Sequence, residues 1–169
     1  MNLEILVIDD ASTDETEHYL KKINVPYIRN SSNLGVAYSR NFGAKNAKSE
    51  ILFFIDSDVF VDPSTVIQLP PALQKNSQYQ ALGLRPKLSD QFGQNWGKSI
   101  VELQAYWPTH FLPPSGILPL SGLQSECCII WKNTFFELKG FDERFTQAGI
   151  EEFEFGYRMK KFGYKMALV

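Results

Sequence analysis

Two short apolar segments in the first 58 residues each run directly into acidic residues. The first, Leu3 to Ile8, is followed by Asp9-Asp10, and the second, Ile51 to Ile55, is followed by Asp56-Ser57-Asp58. Nearly continuous apolar runs of this length are typical of strands that are buried on both faces of a sheet. In open α/β sheets, ligands bind beyond the carboxyl ends of the strands. The sequence therefore predicts that both acidic clusters lie at the ligand-binding edge of a sheet.

Helical and extended patterns alternate between and after these strands. Ser12 and Glu15 have the spacing of a capping box, which predicts a helix from there to about Ile23. A strand, a helix and a further helix are then predicted, at Val25 to Arg29, at Val36 to Lys48 and from Pro63 onward. Strands that alternate with helices in this way predict an α/β sheet with right-handed crossovers.

The second half of the chain has a less regular pattern. Strands are predicted at residues 77–84, Gln124 to Trp131 and Tyr164 to Val169, and helices at Asn133 to Lys139 and Glu151 to Phe162. The segment from Pro86 to Gly122 is rich in proline and aromatic residues. We expect it to form a long, partly helical loop over the site.

Length and composition favour one globular domain. The chain has 169 residues and a net charge of −2, which is enough length for a core and gives no general reason to expect nucleic-acid binding. Its two cysteines, Cys127 and Cys128, are adjacent and so rarely pair with each other, which favours a reducing compartment. No signal peptide is recognisable, and no apolar run approaches the roughly 20 residues of a membrane helix. These features predict a cytoplasmic protein.

Asp56 and Asp58 form a D-x-D motif at the end of a predicted strand. Two carboxylates at this spacing can reach one cavity where the backbone turns, and hard oxygen ligands select Mg²⁺ or Mn²⁺, which also bind substrate phosphates. The motif alone is common and is more often a solvated turn than a metal site. Its position directly after a buried strand favours the metal site.

Two further acidic clusters each have two interpretations. Asp9 and Asp10 fit either a helix cap or a carboxylate that accepts hydrogen bonds from a nucleotide base or ribose. Glu151 and Glu152 open a predicted helix, where the helix dipole favours acidic residues. An apolar environment would raise the pKa of a carboxyl group there and suit a general base.

Several common catalytic and nucleotide-binding motifs do not occur in the sequence. There is no G-x-x-x-x-G-K-[ST], no G-x-G-x-x-G and no G-x-S-x-G, and His18 and His110 lack zinc-ligand spacing. The sequence therefore disfavours a P-loop enzyme, a dinucleotide-binding enzyme, an α/β-hydrolase and a zinc site.

Five segments in order along the chain resemble the inverting glycosyltransferase family 2. They are residues 5–14 (ILVIDDASTD), 33–43 (NLGVAYSRNFG), 51–58 (ILFFIDSD), 140–143 (GFDE) and 149–154 (GIEEFE). The resemblance extends over nearly the whole chain. It implies the GT-A fold, a Rossmann-like α/β architecture with a mixed, mainly parallel sheet flanked by helices.

The resemblance also implies roles for the acidic residues of the first half. Asp10, with Asp9 beside it, would contact the base of a nucleotide diphosphate sugar of the UDP, GDP or dTDP type. Arg40 would lie near the nucleotide. Asp58 would ligate Mn²⁺ or Mg²⁺, and Asp56 would lie near the ribose or sugar and the metal.

Glu152 takes the position where this family usually has an aspartate base, and Glu151 is the alternative base. Such a base would accept the proton of an acceptor hydroxyl as its oxygen attacks the anomeric carbon, and the transfer would invert the anomeric configuration. The aromatic residues between Pro86 and Gly122 would either shape the acceptor side or pack beneath the loop. The implied setting is polysaccharide biosynthesis with a saccharide or lipid-linked acceptor, in the cytoplasm or at the inner face of the membrane.

Family 2 enzymes normally have a strand, a polar turn and a helix ahead of the segment that corresponds to residues 3–10. We therefore expect a sheet that is incomplete at its amino terminus, with exposed strand edges. The notable alternatives are that the sequence is a fragment, that its start is misassigned, or that another strand or subunit fills the gap, which would favour a homo-oligomer or a strand-donating partner. The single domain, residues 1–169, divides into a nucleotide-sugar-binding half (1–84) and an acceptor and catalytic half (85–169). Two alternatives stay open: a non-catalytic nucleotide-binding remnant or partner subunit, and a nucleotidyltransferase.

Overall fold

A computed structural model describes residues 3–84, 117–120, 122–123, 127–146 and 149–169. The strands in these ranges are β1 (Val7–Asp9), β2 (Tyr27–Arg29), β3 (Ile51–Ile55), β4 (Ala81–Gly83), β5 (Leu118–Leu120), β6 (Cys127–Trp131) and β7 (Met166–Leu168). The helices are α1 (Thr16–Ile23), α2 (Val36–Asn46), α3 (Pro63–Lys75), α4 (Lys132–Glu137) and α5 (Ile150–Lys161). In these ranges, no helix has both the length and the apolar character needed to cross a bilayer.

The strands form two sheets. β1 and β2 pair in parallel, with Asp9 opposite Arg29 at their carboxyl ends. The larger sheet has the order β3-β6-β4-β7-β5. In that sheet β3, β4 and β7 point in one direction, whereas β5 and β6 run against them. The predicted mixed α/β architecture is confirmed. β1–β2 and β4–β7 are the parallel pairs among the described strands, and the other three pairs are antiparallel.

The capping box predicted at Ser12 and Glu15 is wrong. Helix α1 begins at Thr16, and the Glu15 side chain makes no capping hydrogen bond. The backbone N–H of Ser12 instead donates to Asp9 Oδ1 at 2.8 Å. Because the Asp9 carboxylate holds this N–H, residues 9–12 form a turn at the strand end and the helix starts later.

Part of the loop predicted for Pro86 to Gly122 is a strand. β5 pairs with β7 in antiparallel register, so Leu118 lies opposite Leu168. Pro119 argues against a strand in the sequence, because proline has no N–H to donate. β5 is at the edge of the sheet, however, where prolines are tolerated. The larger part of the predicted loop, with Trp96, Tyr106, Trp107 and Phe111, lies outside the described residues.

Four phenylalanines form the centre of the core next to the carboxyl end of β3. Phe54 lies on β3, Phe135 on α4, Phe141 in the turn after α4 and Phe155 on α5. Their ring centroids are 5.0 to 5.7 Å apart, the separation of favourable tilted and edge-to-face contacts. This cluster fixes helix α5 relative to β3, and therefore fixes the segments that carry the acidic residues.

Asn41 ties helix α2 to the turn that follows α4. Its Nδ2 donates to the carbonyl of Phe141 and its Oδ1 accepts from the Phe141 N–H, both at 2.8 Å. Gly140 has a φ of +67°, and a Cβ at this position would lie 2.5 Å from Asn41 Oδ1. Gly140 therefore meets two requirements at once, a left-handed backbone and a close approach to Asn41.

Gly140→Ala should destabilise the protein more than Gly163→Ala does. Gly163 has a similar φ of +79°, but nothing lies within 4 Å of a Cβ placed there. Both substitutions incur the left-handed penalty of about 1–2 kcal/mol. Gly140→Ala should add about 1–3 kcal/mol because Asn41 must give up partly buried hydrogen bonds. Urea unfolding of the two variants measures the difference, and equal losses of stability would contradict this account.

Candidate functional site

Strand β3 delivers Asp56 and Asp58 to its carboxyl end. The backbone turns there, with the Val59 N–H donating to the Asp56 carbonyl at 3.0 Å. Asp56 is half-buried, whereas Asp58 is exposed. The whole of β3 is held in register against β6, which gives these two carboxylates a rigid base.

Arg40, on helix α2, connects this turn to the start of helix α5. Its Nη2 donates to Asp56 Oδ1 and its Nη1 donates to Glu151 Oε1, each at 2.6 Å. The Arg40 side chain is only 10% exposed and the Glu151 side chain 1%. The guanidinium also lies 5.7 Å from the centroid of the Phe141 ring. One cation thus joins acidic residues that are far apart in the sequence by short, charge-assisted hydrogen bonds.

Glu151 and Glu152 have different environments, although they are neighbours in the first turn of α5. Glu151 is fully buried, and its second oxygen, Oε2, has no hydrogen-bond partner among the described residues. Glu152 is half-buried. Of the two, only Glu152 lies at the boundary between the interior and solvent.

The buried thiol of Cys128 is influenced by the charges of both Glu152 and Asp56. Burial raises the pKa of Cys128; the charge of Arg40 opposes this rise, and the charges of Glu152 and Asp56 add to it. Cys128 is paired with Phe54 in the sheet, one residue before the end of β3. Glu152 and Asp56 therefore both act electrostatically on a residue at the carboxyl end of the β3–β6 pair.

Asp9 is engaged within the protein. Its Oδ2 accepts a hydrogen bond from Arg29 Nη1, and its Oδ1 accepts from the Ser12 N–H. Burial alone would raise the pKa of Asp9, but the hydrogen bonds from Ser12 and the charge of Arg29 outweigh it and hold the pKa below its usual value.

Asp10 organises the loop that leads into helix α2. Its Oδ1 accepts from Asn30 Nδ2 at 2.7 Å and from the Leu34 N–H at 2.9 Å, and its Oδ2 accepts from the Gly35 N–H at 2.8 Å. Burial again opposes ionisation, and these hydrogen bonds lower the pKa of Asp10 overall. A Cβ at Gly35 would lie 3.3 Å from the carbonyl of Thr146, so the loop also contacts the segment ahead of α5.

The structure thus brings together most of the residues singled out in the sequence. Asp56, Arg40 and Glu151 are in direct contact, and Glu152 follows Glu151 in the first turn of α5. Asp10 contacts the start of the helix that carries Arg40. Asp9 is paired with Arg29, and Asp58 is exposed beyond the end of β3.

Metal binding can be judged from the chemistry of these carboxylates. In the part of the chain that the structure describes, no three His, Cys, Asp or Glu side chains are grouped so that they could hold a metal by themselves. Mg²⁺ is usually held by one or two carboxylates together with water and substrate phosphates, not by a complete protein cage. The exposed Asp58 carboxylate and the Asp56 oxygen not bonded to Arg40 fit such a partial set of hard ligands.

Two open grooves are lined by none of the candidate site residues. One, of about 380 Å³, is lined by Lys48 to Glu50 and Trp131 to Asn133, and the other, of about 660 Å³, by Leu3 to Ile5, Val25, Pro26, Lys48 and Ser49. Both are at the amino-terminal end of β3. Ligands of such sheets bind at the opposite, carboxyl end, so the acidic cluster remains the candidate site.

Arg29, Asn30 and Asn41 were not assigned a role from the sequence. Arg29 lies opposite Asp9 because β1 and β2 pair in parallel, and Asn30 follows it. Polar residues at the carboxyl ends of two neighbouring predicted strands could have indicated that these two side chains lie beside Asp9 and Asp10. Asn41 had no comparable local signal, since its partner Phe141 is 100 residues away.

Comparison with known sequences decides the family. The sequence model of Glycosyl transferase family 2 matches residues 1–157. The chain belongs to this family. One relative, the validoxylamine A glucosyltransferase of Streptomyces hygroscopicus subsp. jinggangensis, is 27% identical over 195 residues, an alignment that covers 99% of this chain and 46% of the relative.

Solved structures agree on the fold. GalNAc-T7, crystallised with UDP, GalNAc and Mn²⁺, superposes with a TM-score of 0.71 at 20% identity, over 98% of this chain and 36% of that one. The mannosyltransferase PcManGT from Pyrobaculum calidifontis, in complex with GDP-Man and Mn²⁺, superposes with a TM-score of 0.68 at 15% identity. The match covers 99% of this chain and 47% of that one. Such identities establish the GT-A fold and no more. The family 2 chain spans less than half of each of these relatives.

Proposed function

We propose that this family 2 chain carries the donor-binding and catalytic part of an inverting, metal-dependent glycosyltransferase. The observation that carries the proposal is the Arg40 bridge, which brings the end of β3 and the start of α5 to one site. Family membership supports sugar transfer from a nucleotide sugar. In this proposal residues 1–84 supply the donor side, and residues 85–169 supply the base and the acceptor side.

The proposed donor site uses the carboxyl ends of β1 and β3. Asp10 and its loop would contact the base of a UDP, GDP or dTDP sugar, with Asp9 fixing the strand end behind it. Arg40 would contribute by holding Asp56 next to the ribose or sugar. Asp58, with the other oxygen of Asp56, would hold Mn²⁺ or Mg²⁺, and the bound metal supplies positive charge that offsets the charge of the departing diphosphate.

The proposed base is Glu152. A base must come within hydrogen-bond reach of the hydroxyl whose proton it accepts. Glu152 is partly accessible, whereas the Glu151 carboxylate is fully buried against Arg40 and offers no oxygen to a substrate. In this mechanism Glu152 accepts the acceptor hydroxyl proton while the oxygen attacks the anomeric carbon opposite the diphosphate. A single displacement of this kind inverts the anomeric configuration.

The proposed setting is polysaccharide assembly in the cytoplasm or at the inner face of the membrane, with a hexosyl donor and a saccharide or lipid-linked acceptor. The support for a reducing compartment is that Cys127 and Cys128 are buried thiols rather than a disulfide. Support for a nucleotide-sugar donor comes from the structural neighbours, which were solved with UDP or GDP-Man.

Titration with UDP, GDP and dTDP, each with and without Mn²⁺, tests the donor site. We expect one nucleotide to bind about tenfold or more tightly with Mn²⁺, a gain of about 1.4 kcal/mol or more. Asp58→Asn should abolish this gain. Asp14→Asn is the matched control, because Asp14 is an exposed carboxylate that accepts local hydrogen bonds from Thr16. If no nucleotide binds in either condition, the chain is a non-catalytic remnant and the proposal fails.

Glu152→Gln should keep donor affinity but lose transfer by about 10²- to 10⁴-fold, the usual contribution of a positioned general base. The control is Glu154→Gln on the same helix, whose carboxylate pairs with Arg158 at 2.5 Å. That variant should transfer within about threefold of the unmodified chain, a change below the tenfold that 1.4 kcal/mol represents. Initial rates of sugar transfer at saturating donor measure both effects. Full activity in Glu152→Gln rules out this base.

The two sheets leave strand edges that we propose are covered by a strand from a second polypeptide. Within the described residues, β1 pairs only with β2, and β3 pairs only with β6. The groove of about 660 Å³ opens between the amino ends of β1 and β3, and Leu3 and Ile5 at its rim are 61% and 55% exposed. Unpaired edges beside exposed apolar side chains are suited to strand addition.

Amide hydrogen exchange at rising protein concentration tests this partner. If a second copy of the chain supplies the strand, amides in residues 7–9 and 51–55 that point away from β2 and β6 should become protected as sedimentation shows association. A chain that stays monomeric and leaves these amides exchanging fast at every concentration would exclude self-pairing through these edges.

A further inference from the structure

The Arg40–Glu151 pair is a buried interaction that the proposed chemistry does not itself use. Glu151 is fully buried and the Arg40 side chain 10% exposed. An ionised carboxylate in such a place is strongly unfavourable without a partner. Among the described residues, Arg40 is its one ion-pair partner, since the remaining oxygen, Oε2, accepts no hydrogen bond.

The placement of Glu151 sets the orientation of helix α5. Phe155 and Met159 follow Glu151 at intervals of four residues and are also fully buried, so these three side chains define the inward face of the helix. Successive residues of a helix are rotated by about 100° around its axis. With Glu151 held inward by Arg40, Glu152 must therefore lie at the border of the buried face.

We propose that Arg40 and Glu151 are positioning residues of the transferase site. Glu151 does not accept the proton. It anchors the first turn of α5 to Arg40, and Arg40 anchors that turn to Asp56 at the end of β3. The distance between the proposed base Glu152 and the donor side of the cleft is then set by this guanidinium together with the phenylalanine cluster behind it. This inference rests on the proposed function and adds to it a role for the buried pair.

Glu151→Gln separates positioning from stability. The glutamine can still accept a hydrogen bond from Arg40 Nη1, but the charge that holds the pair together is lost. We expect kcat to fall about 10²-fold, as for a catalytic group misplaced by about 1 Å. The Kd for nucleotide, measured with Mn²⁺, should change less than about threefold. The reason is that this substitution leaves the donor-side carboxylates Asp10, Asp56 and Asp58 in place. Glu154→Gln is again the matched control for removing an Arg-paired carboxylate from α5.

A cycle of variants tests the anchor without relying on activity. Arg40→Met leaves Glu151 buried without a counter-charge, so its urea midpoint should fall. Adding Glu151→Gln to Arg40→Met removes the unpaired charge and should raise the midpoint again. The kcat of the double variant should stay low, because the tether between α5 and β3 is still missing.

The outcomes separate this inference from the proposed function. Midpoints that fall additively, or a Glu151→Gln variant with unmodified kcat, would overturn the positioning role. A purely structural pair would lower the midpoint but leave kcat of the folded protein unchanged. If the unmodified chain transfers no sugar from any donor, the proposed function fails, and the urea cycle alone then decides whether Arg40 anchors Glu151.

Discussion

A carboxylate that is removed from water needs a counter-charge, and in this chain Arg40 supplies it to Glu151. The same guanidinium holds Asp56 at the end of β3. Glu151 lies in the first turn of helix α5, so an arginine more than a hundred residues earlier helps to place that turn. The candidate site is therefore assembled around one cation, with one half of the chain on each side of it.

The rest of the fold holds Arg40 in place. Asp10 captures the N–H groups of the loop ahead of α2, and Asn41 fastens the same helix to the turn at Gly140 and Phe141. The phenylalanine cluster then packs that turn, β3 and α5 against one another. Residues with plain structural roles thus limit the positions that Asp56 and Glu152 can take, as a site with preorganised geometry requires.

Local pattern predicted much of the fold but little of the contact network. Apolar runs ending in acids located β1 and β3, and helical periodicity located α2 and α5 to within a few residues. Such signals act over one strand or one helix, which is the range that sequence spacing reports. The partners of Arg40, Asp9 and Asn41 come from distant elements, so no spacing could reveal them. The capping-box prediction was wrong because the Ser12 N–H donates to Asp9 instead. Strand β5 was missed because Pro119 argues against a strand unless the strand is known to be at an edge.

The central claim is that carboxylates from separate parts of the chain surround one donor site. Crystals grown with Mn²⁺ and whichever of UDP, GDP or dTDP binds, measured at the manganese absorption edge, test it most directly. The account predicts one anomalous peak in coordination contact with Asp58 and the diphosphate, with Glu152 facing the same cleft. Manganese bound elsewhere on the chain, or a nucleotide seated away from β1 and β3, would contradict it.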